Sequence, residues 1–469
     1  MLKRILLMAA CVVAALGGVI YFLNTADNKD ISVKIQTCDS LLQAYEKLGK
    51  FNGSVLIAKD GEVVWREGYG VRNDALDLPH DAESIFRIYS ITKPFTSTVI
   101  LKLEEQGKLS VQDRLSKYYP DVPNADAITI SHLLSHTSGL YEFTRENNFV
   151  NTEAGLLELL KTRPVDFPPG AGWRYCNSGY CLLGHIIAKV SNSSYEEAVT
   201  KHVFEPLEMV NSGFRFNGLE DPRKAIGYGT FSDEERIEVT MEDEGGPFAA
   251  GAIFSTVDDL WLFQQALNEG KLLSKTSLQQ AWTGCPQESD YGFGWQLGSR
   301  WFMRQVISHS GGATGFRSNL SQVPSSKYCV VLLNNHENAN LEFLTDRIYD
   351  ILDGWEVEIP KEETKLTAEE LEAYVGFYQP DQMQDVIRTY LVDGRLAVDF
   401  LGRAQGTMLA QGEDRFYQIE SGVIVEFQRD QNGECIGLFA QQDRMTLEAR
   451  KYDGAWGFPT TRSRDLLIT

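Results

Sequence analysis

The order of apolar and polar residues along the chain predicts an α+β region first. Alternation on both sides of Asp60-Gly61 predicts a β-hairpin over residues 51–65. Apolar residues at helical spacing then predict a helix over residues 90–105. Further helical segments are predicted at 131–135, 156–161, 179–190, 195–204, 257–267 and 341–352, and strands at 304–307 and 328–333. Helices grouped between a hairpin and later strands favour an α+β fold with an inserted helical region.

The pattern changes after residue 356. A charged, proline-containing segment at 357–368 is typical of a linker. Short alternating segments separated by turn residues follow at 388–392, 396–400, 416–419, 423–427, 436–439 and 445–450. This spacing predicts a small antiparallel sheet or barrel over residues 369–469. The main part of the chain is therefore predicted to consist of domains 27–356 and 369–469.

The N-terminus has a third pattern. Lys3 and Arg4 precede an apolar run from Ile5 to Leu23, which is nearly long enough to cross a bilayer as a helix. The basic residues favour a cytoplasmic start and place the rest of the chain outside. A cleaved signal peptide is the alternative, with a small-residue site at 15–17. We expect residues 1–26 to anchor the protein in the cell envelope, facing the periplasm or the exterior, or to release it as a secreted protein if they are cleaved.

Composition and charge remove several function classes. The 469 residues include 44 Lys+Arg and 65 Asp+Glu, for a net charge of −21. A nucleic-acid-binding protein needs a basic face, and so does a surface that docks on anionic lipids. We therefore expect no nucleic-acid partner and membrane contact through the N-terminal segment only. Six cysteines follow Cys11, and the sequence leaves their pairing open.

The first candidate for chemistry is Ser90-Ile-Thr-Lys93, at the predicted start of a helix. A spacing of three places both side chains on one helical face. A serine hydroxyl becomes a good nucleophile when a neighbouring base takes its proton. The helix N-terminus also favours a developing oxyanion. This is the only S-x-x-K in the chain, although taken alone the motif favours a solvated helix start.

Two more triplets follow in order. Tyr175-Cys-Asn177 is the only Y-x-N and His309-Ser-Gly311 is the only H-x-G in the chain. With flanking stretches over about residues 40–355, the set resembles the serine β-lactamase and penicillin-binding protein-like family, in its class C, esterase and D-aminopeptidase branch. The matching stretches are Phe51–Ile57, Ile130–Leu140, Pro169–Tyr175, Ala250–Leu260 and Tyr291–Trp295. Separately, Tyr374-Val-Gly-Phe-Tyr378 resembles the lipocalin-like barrel appended to some members.

The resemblance implies a β-lactamase/transpeptidase-like fold, with an antiparallel sheet flanked by helices and a helical subdomain, followed by a small barrel. It also implies roles for individual residues. Ser90 is the expected nucleophile, and Lys93 and Tyr175 are expected to share proton transfer in either order. The implied substrate-binding residues are Asn177, His309, Gly311 and Gly312, the last contributing its N–H to the oxyanion hole together with Ser90. No metal and no organic cofactor is implied.

One departure from the family pattern bears on the substrate. The third motif in β-lactamases is usually K-[ST]-G, and this chain has His309 in place of the lysine. A histidine is mostly neutral at pH 7, so a substrate carboxylate should be held less well. Esters, amides or D-amino-acid-containing peptides are therefore the expected substrates of an exported serine hydrolase. The alternatives are a β-lactamase or DD-carboxypeptidase acting on peptidoglycan peptides, and a non-hydrolytic penicillin-binding-like sensor. Oligomeric state is not predicted.

Two competing sites are weaker. His132 and His136, four residues apart, are suitably spaced for two metal ligands, but no third ligand is evident and the glutamate of H-E-x-x-H is missing. Packing and capping are the favoured roles of these histidines. Cys176 lies within the Y-x-N triplet, and without an adjacent histidine in sequence a passive, partly buried thiol is the favoured interpretation.

Overall fold

The computed structural model describes residues 30–146, 152–231, 236–240, 247–300, 304–380, 386–400, 403–442 and 445–452. The chain forms two compact units, Met1–Gly354 and Trp355–Thr469. The predicted linker at 357–368 stays a prediction, and residues 355–367 contain no helix or strand. The predicted anchor or signal peptide at 1–26 lies outside the described residues. Among the residues that the structure describes, no helix is long and apolar enough to cross a membrane.

A six-stranded antiparallel sheet, in the order β2-β1-β12-β11-β10-β9, is the centre of the first unit. The strands of this unit are β1 Gly53–Lys59, β2 Glu62–Tyr69, β3 Val71–Asn73, β4 Leu78–Pro79, β5 Phe86–Arg87, β6 Tyr228–Phe231, β7 Arg236–Glu238, β8 Phe254–Ser255, β9 Gln296–Arg300, β10 Arg304–Ala313, β11 Phe316–Val323 and β12 Tyr328–Asn334. The predicted β1–β2 hairpin is confirmed. Its turn residues Asp60 and Gly61 have φ of 54° and 85°, as a tight two-residue hairpin requires.

Helices lie between β2 and β9 in the chain, as predicted, and the α+β fold class is confirmed. The helices of the first unit are α1 over residues 30–47, α2 Thr92–Glu105, α3 Ile130–Leu134, α4 Glu153–Thr162, α5 Asn177–Ser191, α6 Tyr195–Val199, α7 Glu205–Leu207, α8 Phe248–Gly251, α9 Val257–Asn268, α10 Lys275–Ala281 and α11 Leu341–Leu352. α2 is buried along almost its whole length. A helix that is enclosed on all sides lies in the core. The first turn of α2 therefore presents its side chains from the protein interior.

The sequence-based assignment is incomplete in the half of the sheet that contains β9, β10 and β11. It missed β9, β11, α1 and α10, and it ended β10 at residue 307, whereas the strand continues to Ala313. The extension contains Ser-Gly-Gly, which carries no local strand signal. It is held instead by long-range pairing with β11, for example Gly311 opposite Ser318.

The second unit is a nine-stranded antiparallel sheet that curls into a nearly closed barrel, which confirms the predicted barrel. Its core contains the aromatic residues Tyr374, Tyr378, Phe416 and Phe427. The unit comprises helix α12 Ala368–Glu372 and strands β13 Gly376–Pro380, β14 Ile387–Val392, β15 Arg395–Phe400, β16 Arg403–Thr407, β17 Leu409–Ala410, β18 Arg415–Gln418, β19 Val423–Arg429, β20 Cys435–Gln442 and β21 Met445–Lys451. The six cysteines of the described residues, in both units, are free thiols.

Candidate active site

Ser90 lies in a 3-10 turn, Tyr89–Ile91, that leads directly into α2. The residue before it, Tyr89, has φ of 43°, an unfavourable value for a residue with a side chain. Two contacts hold it there: its hydroxyl donates to the Thr314 carbonyl at 2.8 Å, and its ring lies 4.7 Å from the Arg87 guanidinium carbon. Such strain persists only where surrounding structure enforces it. Here the turn places Ser90 on the wall of a cleft of about 420 Å³.

Lys93 is fully buried in the first turn of α2. Its Nζ lies 3.2 Å from Ser90 Oγ, 2.8 Å from Asn177 Oδ1 and 2.9 Å from the Ala250 carbonyl oxygen. Burial lowers its pKa to about 7, against the opposing effect of the Glu142 carboxylate. A large neutral fraction is therefore present near pH 7. In that form two N–H groups serve Asn177 and Ala250, and the lone pair is left for the Ser90 hydroxyl.

Tyr175 and Asn177 stand at the start of α5. The Tyr175 ring lies 4.7 Å from Lys93 Nζ, and its phenol lies beside the Ser90 side chain. Burial raises the pKa of Tyr175, which outweighs the opposite effect of Ser90, so the phenol keeps its proton at neutral pH. The structure thus brings Ser90, Lys93, Tyr175 and Asn177 together from two segments that lie far apart in sequence.

Glu142 is the residue that sequence reasoning missed. Its side chain is buried, and it accepts hydrogen bonds from the Asn177 backbone N–H, from Asn177 Nδ2 at 3.0 Å and from Thr144 Oγ1 at 2.7 Å. Because the amide nitrogen of Asn177 is held by Glu142, its oxygen must point at Lys93. The available signal was a lone acidic residue between apolar neighbours, two positions after the Ile130–Leu140 stretch.

His309 is buried on β10 and does not line the cleft. Its Nε2 pairs with the Tyr291 hydroxyl at 3.0 Å and its Nδ1 with the Ser310 carbonyl at 2.7 Å. Burial, together with the nearby Lys93 charge, lowers the pKa of His309 to about 3, so the ring is neutral at physiological pH. The geometry makes it a support for Tyr291 and leaves it off the cleft surface.

Gly311 and Gly312 form the part of β10 that runs past Ser90. β9 pairs with β10 only as far as Ser308, so among the described residues this segment pairs with β11 alone. A Cβ at position 311 would lie 2.1 Å from the Ile88 carbonyl oxygen, and glycine alone permits this approach. Gly312 is exposed and lines the cleft. Its N–H is the candidate partner of the Ser90 N–H in an oxyanion hole.

Comparison with known proteins decides the family. Residues 39–354 match the family model described as Beta-lactamase. The chain belongs to the beta-lactamase family. This confirms the resemblance predicted from the three triplets, and the protein is a serine hydrolase of that family.

Relatives of this beta-lactamase-family protein carry penicillin-binding and amidohydrolase names. It is 30% identical over 329 residues to the "Putative penicillin-binding protein PbpX" of Bacillus subtilis, covering 70% of this chain and 82% of the relative. The octameric penicillin-binding protein homologue from Pyrococcus abyssi superposes with a TM-score of 0.66 at 26% identity, covering 88% of this chain and 99% of the other. A D-stereospecific amidohydrolase from Streptomyces sp. superposes with a TM-score of 0.56 at 25% identity, covering 66% and 97%.

The two competing sites have structural roles in this family member. His132 takes part in the capping box that starts α3. His136 accepts a hydrogen bond from the Cys176 backbone N–H at 3.0 Å through its Nδ1. The described residues contain no group of three or more His, Cys, Asp or Glu side chains arranged to hold a metal ion. Cys176 is buried, and burial raises the pKa of its thiol well above the usual value.

Proposed function

We propose that the protein hydrolyses esters, amides or D-amino-acid-containing peptides through an acyl-enzyme on Ser90. The observation that carries this proposal is the contact between Lys93 Nζ and Ser90 Oγ at 3.2 Å, with the lysine pKa lowered to about 7. A base whose pKa lies near the working pH is well matched to proton transfer.

In the acylation step, Ser90 Oγ attacks the substrate carbonyl carbon and Lys93 Nζ takes the hydroxyl proton. The carbonyl oxygen becomes an oxyanion that faces the N–H groups of Ser90 and Gly312. The bond to the leaving group then breaks, and the leaving oxygen or nitrogen receives a proton from Tyr175, which is protonated at neutral pH because burial raises its pKa. Lys93 returns its proton to Tyr175.

In the second step, water attacks the acyl ester. Lys93, again neutral, takes a proton from this water, and the bond between Ser90 Oγ and the acyl carbon breaks. The Lys93 proton returns to Ser90 Oγ and the carboxylic acid leaves. Asn177, held by Glu142, orients the substrate carbonyl or amide throughout.

The proposed substrate class rests on two observations. His309 stands where β-lactamases usually carry the lysine of K-[ST]-G, and its lowered pKa keeps it neutral. A structural neighbour is a D-stereospecific amidohydrolase. Peptidoglycan peptides are the second candidate, for a β-lactamase or DD-carboxypeptidase, because another relative carries the name of a putative penicillin-binding protein. We further propose that residues 1–26 carry the enzyme into the cell envelope, where peptide substrates of this kind are found.

The test is the intact mass of residues 27–469 after treatment with a fluorophosphonate and, separately, with a penicillin. We expect a phosphonate adduct on the wild type and none on Ser90→Ala. A penicillin adduct that persists favours the peptidoglycan or sensor alternatives, and its absence favours esters and other peptides. A folded wild type without any phosphonate adduct would overturn the proposal.

A further inference from the structure

The cleft beside Ser90 contains a buried arginine with open hydrogen-bonding positions. Arg87 is 2% exposed and lines the cleft. Its Nε and Nη1 are buried and have no hydrogen-bond partner among the described residues. Unpartnered polar nitrogens in the interior are costly, and a guanidinium cannot shed its charge to avoid the cost. A ligand that accepts these bonds would remove the penalty.

A second arginine lines the same cleft. Arg317, on β11, donates through Nη1 to the carbonyl oxygens of Ala313 and Phe316, each at 2.8 Å. It packs on the exposed strand segment, since a Cβ at Gly312 would lie 2.9 Å from Arg317 Cδ. Its guanidinium is therefore next to the candidate oxyanion hole.

Among the described residues that line the cleft, positive side chains outnumber negative ones. Neither arginine forms an ion pair with a carboxylate of the described residues. The acidic side chain that lines the cleft with them, Glu337, accepts the Gly315 N–H at 2.8 Å. Two guanidinium groups against one carboxylate is unusual in a chain whose net charge is −21. Such a local excess attracts anionic substrates.

We propose that Arg87 and Arg317 bind a carboxylate of the substrate close to the scissile bond. This inference rests on the proposed function at Ser90 and narrows its substrates to anionic esters, amides or peptides. A guanidinium matches a carboxylate with paired, charge-assisted hydrogen bonds. The weak carboxylate binding expected from His309 is thereby offset, because the positive charge comes from β5 and β11 in place of the third motif.

The test compares esters matched in shape. For a carboxylate in the leaving group the pair is meta-carboxyphenyl acetate and meta-carbamoylphenyl acetate. For a carboxylate in the acyl group it is the phenyl esters of adipic and adipamic acids. We expect the wild type to prefer the carboxylate in at least one pair, and Arg317→Gln to reduce that ratio of kcat/KM by about ten- to a hundredfold. Arg317→Lys should recover part of the ratio, because a lysine keeps the positive charge but cannot donate the paired hydrogen bonds of a guanidinium.

Arg66→Gln is the matched control, since Arg66 lies on β2 and pairs with Asp258 away from the cleft. Its ratios should equal those of the wild type. Because Arg87 is buried, Arg87→Lys is preferred to larger changes, with its fold checked by circular dichroism. A preference limited to one ester pair shows whether the arginines bind a carboxylate of the leaving group or of the acyl group. A wild type without any preference, or a preference that survives Arg317→Gln, overturns the inference.

A second readout separates this inference from the proposed function. Stabilisation of the folded enzyme by meta-hydroxybenzoate and by adipate, each compared with its amide, reports on the arginines without turnover. We expect a rise in Tm with at least one carboxylate that is lost in Arg317→Gln and kept in Ser90→Ala. If neutral esters are cleaved through Ser90 but no carboxylate effect is found, only the inference fails. If the carboxylate effect is present without any Ser90 chemistry, only the proposed function fails.

Discussion

Two buried cationic side chains beside the cleft differ in how many hydrogen-bond partners they have. Lys93 is fully buried, and three acceptors from Ser90, Asn177 and Ala250 surround its amine. Arg87 is almost equally buried, yet two of its nitrogens have no partner within the described residues. The lysine adapts to burial by a lowered pKa, whereas the arginine stays charged. An internally satisfied cation suits proton transfer, and an unsatisfied one suits ligand recognition.

The largest effect should come from removing the satisfied cation. Lys93→Met fills the same buried space without an amine, so Ser90 loses its proton acceptor. We expect kcat/KM for a neutral phenyl ester to fall by about 10³-fold or more. Lys189→Met, which changes a partly exposed lysine paired with Glu153, is the control for loss of a charge and should be nearly silent. Comparable losses of kcat/KM in both variants would show that Lys93 has no specific role in proton transfer.

The pH dependence should follow from the same lysine. Its pKa is lowered to about 7, and only the neutral amine accepts the Ser90 proton. Activity should therefore rise through about pH 7 and fall about tenfold per unit below it. The pKa of His309 is lowered to about 3, so His309→Gln should leave the position of this limb unchanged. The measurement is kcat/KM for a neutral ester across the pH range in both proteins. If the acidic limb moves in His309→Gln, the titrating group is not Lys93 alone and this assignment is wrong.

Glu142→Gln should give an intermediate effect. The neutral amide no longer fixes the Asn177 orientation as firmly, and it removes the carboxylate that raises the Lys93 pKa. We expect kcat/KM to fall about ten- to a hundredfold and the acidic limb to shift to lower pH.

Asp259→Asn supplies the comparison for Glu142→Gln. Asp259 is also a buried carboxylate that accepts backbone and hydroxyl hydrogen bonds, from Asn211 at 2.9 Å and Ser212 at 2.8 Å. Its replacement should reduce the free energy of unfolding without moving the pH limb. If Glu142→Gln lowers stability and leaves the limb in place, Glu142 has a structural role only.

Local pattern predicted some of these features and could not have predicted others. The β1–β2 hairpin and α2 follow from periodicity and turn residues that lie close together in the chain. The strained φ of Tyr89 depends on a contact with Thr314, and the acceptor at Ala250 is 157 residues away from Lys93. These groups meet only because the sheet and helices bring distant segments together.

The same limit applies to residues in and beside the cleft. A histidine in the third triplet carries no sequence sign of whether it is buried against Tyr291 or exposed to substrate. Arg87 and Arg317 likewise look like ordinary charged residues of a soluble protein. Their importance arises from the burial of Arg87, whose Nε and Nη1 have no partner in the described residues, and from the position of both side chains on the wall of the cleft, which are properties of the fold.

The smallest effect should come from the thiol that stands between two site residues. Cys176 is buried, does not line the cleft, and its Sγ contacts the Leu140 carbonyl oxygen at 3.5 Å. Since burial raises the pKa of the thiol, almost no thiolate forms at neutral pH. We expect Cys176→Ala to change kcat/KM by no more than about threefold, because only packing is lost. Iodoacetamide should leave the native wild type active, while Ser90→Ala stays inactive with its thiol intact. Rapid inactivation by iodoacetamide that Cys176→Ala prevents would show that this thiol is accessible and shares the site.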